Sequence, residues 1–132
     1  MTALFAWIGN TDLKATTDCS VGLGPIAQAL SARDFRSVHL LFNFDPARVV
    51  DYVTWLKVKH PDLDIKTYPA ALSSPTDFAG IYKEARRVVS AALGQKQNEL
   101  ISFHLSPGTP AMAAVWLMLA NGKYKAKLIE TS

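Results

Sequence analysis

The sequence predicts an α/β fold: a Rossmann-like, doubly wound and mostly parallel five-stranded sheet with helices on both faces. Three observations predict it. Short apolar runs alternate with longer helix-like segments in the order β-α-β-α-β-α-β-α-β. The first run, Ala3 to Ile8, is apolar without alternation, as expected of a strand buried on both faces. Proline or small polar residues open the segments that follow the runs, which suits helices starting directly after strands. No repeat, linker or composition shift divides the 132 residues, so the chain reads as one domain spanning 1–132.

Each element has its own local warrant. Ala3 to Ile8 is ended by Gly9-Asn10, and Thr11 to Ser20, polar and aperiodic, is expected to be a long loop. Gly24-Pro25 opens a helix through Ile26-Ala27-Gln28-Ala29-Leu30, with proline in the first turn. Val38 to Phe42 is the second strand, closed by Asn43. Asp45-Pro46 is an N-cap followed by proline, and Val49, Val50, Val53 and Leu56 follow at near-helical spacing beside Tyr52 and Trp55. His60-Pro61 stops that helix. Leu63 to Tyr68 alternates and reads as a third strand near a sheet edge. Ser74-Pro75-Thr76-Asp77 is expected to start a long amphipathic helix to about Leu93, ended by Gly94. Leu100 to Phe103 is strand four, a helix runs from Thr109 or Pro110 to near Asn121-Gly122, and Lys127 to Ile129 is strand five. Lys123, Lys125 and Lys127 alternate with Tyr124, Ala126 and Leu128, as on the solvent face of an edge strand, where lysine discourages sheet-to-sheet pairing.

Composition narrows the function classes. Hydrophobic residues make up 49% and charged residues 19%, which excludes disorder. No apolar run reaches the roughly 18 residues of a membrane span, and the N-terminus reads as a strand and not as a signal peptide. The single cysteine, Cys19, excludes an internal disulfide framework, fits a reducing cytoplasm and reads as a loop thiol. The net charge of +3 helps an anionic small ligand approach but is too weak to argue for a duplex DNA groove.

In such sheets, ligands bind beyond the carboxyl ends of the strands, where the strand order reverses. Those ends carry Gly9-Asn10-Thr11-Asp12 with Lys14 beyond, Asn43, Ser73-Ser74-Pro75-Thr76, and Ser106-Pro107-Gly108-Thr109. Hydroxyls, amides, backbone N–H groups and a helix N-terminus together suit phosphate or ribose oxygens. Ser74-Pro75-Thr76 and Thr109-Pro110 are equally ordinary helix starts, and Gly9-Asn10 taken alone is a strand terminator. No His, Cys, Asp and Glu cluster has ligand spacing, so neither a metal nor another cofactor is expected. The chain also lacks the dinucleotide fingerprint and the Walker A loop. His39, His60 and His104 are scattered; only His104 falls near these loops, where a strand-end histidine is more often structural.

The segment HLSPGTPAMAAVW, with LSSPTDF and the first loop Gly9-Asn10-Thr11-Asp12, resembles CARF domains, the CRISPR-associated Rossmann-like modules. It is similar to stand-alone CARF ring nucleases and to the CARF-like sensory domains of sigma-54-dependent activators of RNA-repair operons. The resemblance covers nearly the whole chain in element order, with its sharp motifs in the first and fourth loops. It implies a homodimer that binds a cyclic oligoadenylate, cyclic tetra-adenylate foremost, across its two-fold axis. It also implies metal-free cleavage of the ring by attack of a ribose 2′-hydroxyl on the adjacent phosphate.

Carried over by position, Asn10 and Thr11 touch ribose or phosphate and Lys14 stabilises charge. Ser106, Gly108 and Thr109 form a phosphate cradle, and Ser74 and Thr76 flank the adenine. Asn10, Thr11, Lys14 and Ser106 are thus the candidate catalytic residues, and Gly9, Asp12 and Asn43 complete the candidate binding set. The expected function is that of a ring nuclease in type III CRISPR antiviral signalling. The chain ends at Thr131-Ser132, soon after strand five, so a stand-alone protein and an excised, non-catalytic sensory domain both remain open. An interaction protein without a small ligand is the third reading, since fold alone does not give function.

Overall fold

A computed structural model describes residues 2–94 and 99–131. Five strands form one sheet: β1 (Thr2–Trp7), β2 (Ser37–Phe42), β3 (Asp64–Pro69), β4 (Leu100–His104) and β5 (Ala126–Ile129). Their order across the sheet is β3-β2-β1-β4-β5, and all four neighbouring pairs are parallel. The fold class is the expected one, with an entirely parallel sheet.

β1 explains the layering. Alternate side chains of β1 and of Ile8 just beyond it enter two separate cores: Leu4, Ala6 and Ile8 on one face, Ala3, Phe5 and Trp7 on the other. The first core receives Ile26, Ala27 and Leu30 of α2 (Gly24–Ala32) and Val49, Tyr52 and Leu56 of α3 (Pro46–Lys59). The second receives Ile81, Ala85, Val88 and Val89 of α4 (Phe78–Leu93), and Met112, Val115, Trp116 and Leu119 of α5 (Pro110–Asn121). A strand with no polar face is what a sheet covered on both sides requires.

Several local expectations hold in the structure. Asp45 caps α3 by accepting from the Ala47 N–H at 3.0 Å, and Pro46 occupies its first turn. Thr109 caps α5, and Gly94 follows the end of α4. β3 lies at one edge of the sheet, as its alternation implies.

Three expectations are corrected. Thr11 to Ser20 is not a plain loop: Asn10–Lys14 forms a short helix, α1, and Cys19–Val21 forms a 3-10 turn. One turn and a half is too short for hydrophobic periodicity to register; α1 is held by the inward Asp12 and by burial of Leu13. The long helix α4 starts later than Ser74. Its cap is Asp77, whose Oδ1 accepts from Gly80 N–H at 3.1 Å, so Ser74-Pro75-Thr76 forms the approach to the helix. At the other edge only Lys127 lies within β5; Lys123 and Lys125 precede it.

Leu4 has no exposed surface, whereas Val58 on α3 is 80% exposed. Leu4→Ala is therefore expected to lower unfolding stability by about 2–5 kcal/mol in urea titrations. Val58→Ala should stay within about 0.5 kcal/mol of the parent.

Candidate functional site

The chain reverses direction across the sheet between β1 and β4, and a crevice of about 260 Å³ opens beyond their carboxyl ends. Two glycines let the loops after these strands meet. A Cβ on Gly9 would lie 2.8 Å from the backbone nitrogen of Gly108, too close for any side chain. Gly108 itself has φ +84, a left-handed conformation that favours glycine, and a Cβ there would lie 2.5 Å from Met112 Sδ. The crevice is thus bounded by backbone on both sides.

Of the candidate residues, the structure brings together Gly9, Asn10, Thr11, Asp12, Asn43, Ser106, Gly108 and Thr109 around this crevice. Asn10, Thr11 and Asn43 are exposed there, with side-chain amide and hydroxyl groups accessible from solvent. Lys14, on the last turn of α1, is exposed but outside the lining. Ser74 and Thr76 are outside it too: their hydroxyls face each other at 3.3 Å, while Pro75 between them reaches the crevice.

Asp12 lines the crevice from beneath, with its carboxylate engaged inward. Oδ2 accepts from Gly9 N–H at 2.9 Å and Oδ1 from Ile26 N–H at 3.0 Å. The residue has no exposed surface, and burial pushes its pKa up to about 6 although both backbone N–H groups favour the charged form. Asp12 thereby pins the first loop to the first turn of α2. The neighbouring Tyr52 hydroxyl is buried without a partner, and burial first, then the Asp12 charge, holds its pKa well above the usual phenol range.

The fourth loop is pinned from the C-terminal side. Thr131 N–H donates to Ser106 Oγ at 2.7 Å, and Thr131 Oγ1 donates to the Pro25 carbonyl at 3.2 Å. With its proton committed, Thr131 Oγ1 can only accept from His104 Nε2, 3.0 Å away. His104 is therefore the Nε2–H tautomer, and its Nδ1 is buried without a partner. Burial lowers its pKa to about 4, so it is a neutral structural group behind the loop and does not line the crevice. Ser106 accepts through its oxygen and keeps its own O–H free to donate. Thr109 Oγ1 donates to the Pro75 carbonyl at 2.8 Å and accepts from Met112 N–H at 3.4 Å, so its hydroxyl proton is committed.

The result is a crevice rich in donors and poor in free negative charge, at the positive end of the 12-residue helix α5. Among the described residues no group of three His, Cys, Asp or Glu could hold a metal ion, and no helix is long and apolar enough to cross a membrane. The sequence reading did not find Pro25, Phe44 and Met112 in the lining, or Thr131 beneath it. Phe44 and Met112 directly extend segments already singled out. Pro25 and Thr131 carry no local signal, because 106 positions separate them.

Asp12 and His104 have opposite linkage to pH. Asp12 is raised from 3.8 to about 6, so its contribution is full below the unfolded value and is lost as pH rises through the folded one. His104 is lowered from 6.5 to about 4, so its contribution is full above the unfolded value and is lost as pH falls toward the folded one. Each shift corresponds to something on the order of 3 kcal/mol at most. Between pH about 4 and 6 the slopes contributed by these two groups oppose each other. Relative to the parent, Asp12→Asn should lose stability as pH falls through that window, and His104→Gln should gain it. Urea unfolding across the window measures both; curves parallel to the parent's would contradict the assignment.

No family model matches the chain, and no curated protein matches it by sequence. Solved structures do match its fold. Csm6 of Enterococcus italicus, bound to cyclic hexa-2′-fluoro-hexa-dAMP, aligns with 100% of this chain at TM-score 0.80 and 20% identity. Can2 from Sulfobacillus thermosulfidooxidans, in complex with cyclic tetra-adenylate, aligns with 100% of it at TM-score 0.66 and 13% identity. The chain spans only 34% and 32% of the lengths of those two proteins. It thus has the Rossmann-like α/β fold of those two structures, with the order of strands and of helices α2 to α5 that the sequence predicts.

Proposed function

We propose that the chain binds a cyclic oligoadenylate, cyclic tetra-adenylate foremost, across a homodimer, and cleaves it without a metal as a ring nuclease of type III CRISPR signalling. The observation that carries this is the β1–β4 crevice, donor-rich at a helix N-terminus, with its one carboxylate already occupied by two backbone N–H groups. Anionic phosphates fit such a lining, and cations do not. The two solved structures of the same fold carry cyclic adenylates, which points to the same ligand class.

The size of the crevice supports the dimer. At about 260 Å³ it falls below the usual range for a drug-sized ligand, so a tetranucleotide ring needs two such crevices facing each other. An even-membered ring has the matching two-fold symmetry. On the outer side of α5, whose N-terminus opens the crevice, Leu117 and Met118 are 41% and 50% exposed, an apolar surface suited to a second copy.

In the proposed cleavage, a ribose 2′-oxygen forms a bond to the adjacent phosphorus while the bond from phosphorus to the 5′-oxygen breaks. The products are a 2′,3′-cyclic phosphate and a 5′-hydroxyl, which takes up the proton lost by the 2′-hydroxyl. Protein catalysis then consists of in-line alignment and charge stabilisation. Asn10 and Thr11 orient the ribose, and the Ser106 O–H and the start of α5 face the phosphate. Gly9 and Gly108 admit the phosphate to the backbone, and Asn43 and Thr109 bound the site. Lys14, outside the lining of one crevice, supplies charge to the part of a ring that extends beyond it, and Ser74 and Thr76 stand where an adenine would overhang Pro75. The second reading is a ligand-sensing domain without catalysis. The lining favours it, since among the described residues no free titratable base stands there.

Labelled cyclic tetra-adenylate incubated with the protein and EDTA separates these readings. Cleavage to 2′,3′-cyclic-phosphate fragments is the expected result; tight binding of an intact ring identifies a sensor, and no binding removes both. Asn10→Ala and Thr11→Ala, at exposed positions, should weaken binding or slow cleavage at least about tenfold without altering the thermal unfolding midpoint, at roughly 1.4 kcal/mol per decade.

A further inference from the structure

Away from the crevice, and sharing none of its residues, a shallow depression of about 520 Å³ lies along the outer side of α4. Tyr82, Arg86 and Ser90 follow one another at i, i+4 and i+8, one line along the helix of about 12 Å. Lys83 and Arg87 run beside them, and Lys123 closes the far end. Ser90 and Tyr124 are joined by a hydrogen bond between their hydroxyls, which ties α4 to the segment before β5. The Lys123 ammonium lies 5.9 Å from the Tyr124 ring centroid, with Lys125 next in sequence.

The charges in this line are not internally balanced. Arg87 is committed, with Nε 2.9 Å from Glu84 Oε2 and Nη2 donating to the Pro69 carbonyl at 3.3 Å. Lys83, Arg86 and Lys123 form no ion pair among the described residues, and all three side chains are exposed. Lys83 stands near enough to Glu84 to help lower its pKa, yet no carboxylate among the described residues lies in the lining of the groove, where Lys83, Arg86 and Lys123 stand together.

We infer that this α4 groove binds a short stretch of single-stranded nucleic acid, with Lys83, Arg86 and Lys123 on successive phosphates and Tyr82 and Tyr124 as stacking faces for the bases. Cations interleaved with half-buried tyrosines are what single strands use, because every base has a face to stack and every linkage a charge. An acidic peptide would use the charges but leave the tyrosines without a role. A duplex would present no unstacked base to them, and its charge density calls for a larger basic surface.

The test is fluorescence anisotropy of the full chain with a labelled single-stranded RNA of mixed sequence, across a salt series. Three phosphate contacts imply that a fourfold rise in salt weakens binding about 20-fold. The triple variant K83E/R86E/K123E should lose at least about tenfold in affinity, and the milder K83Q/R86Q/K123Q should flatten the salt dependence. Tyr82→Ala should weaken binding while leaving the salt slope unchanged. Binding of cyclic tetra-adenylate should be the same in all of these variants, since the groove shares no residue with the crevice. Unchanged RNA affinity in the triple variants overturns the proposal, as does equal affinity for a duplex of the same length or stronger binding of polyglutamate than of RNA.

Discussion

The close approach of Gly9 and Gly108 is the constraint on which the rest of the site depends. β1 and β4 are neighbours, paired in parallel from Thr2 with Leu100 to Phe5 with Phe103, so their carboxyl ends arrive side by side. From there the two chains must diverge to opposite faces of the sheet, β1 toward α1 and α2, β4 toward α5. Only backbone fits where they part, because a Cβ on Gly9 would sit 2.8 Å from Gly108 nitrogen. The divergence opens the crevice, and the glycines leave its floor lined by main chain.

Buried polar contacts then keep the two loops from collapsing into that space. Asp12 joins Gly9 to Ile26, and Thr131 joins Ser106, Pro25 and His104. Both groups cost desolvation. The carboxyl of Asp12 is raised and the imidazole of His104 is lowered in pKa, each mainly by burial. Such contacts order a loop more strictly than apolar packing does, since a displaced N–H group would be left buried without a partner. Asn10, Thr11 and Asn43, free of these duties, remain exposed at the rim.

The division of labour among hydroxyl and carboxyl groups follows from burial more than from residue type. Asp12 and Asn10 are two positions apart on α1, yet one points into the fold and the other to solvent. Thr109 and Ser106 both border the crevice, but the Thr109 proton goes to Pro75 while the Ser106 proton is free. The α4 groove shows the same principle in charges: Arg87 is occupied by Glu84, whereas Arg86, its neighbour in sequence, is not.

The sequence by itself determined the order of the five strands and of helices α2 to α5, a sheet covered by helices on both faces, and the four strand-end loops that carry small polar residues. Its signals for these are local: the apolar run at Ala3 to Ile8, the proline-led helix starts at Pro25, Pro46 and Pro110, and small polar residues at strand ends. It missed α1, whose five residues are too few for a period, and it placed the start of α4 early, because Ser74 and Asp77 have equal claims as caps until their partners are known. Tertiary structure alone decided that Asp12 faces inward, that His104 is neutral, and that Lys14, Ser74 and Thr76 stand outside one crevice while Pro25 and Thr131 support it. These outcomes depend on which distant backbone groups lie within hydrogen-bonding reach, and that is settled only when the sheet brings them together.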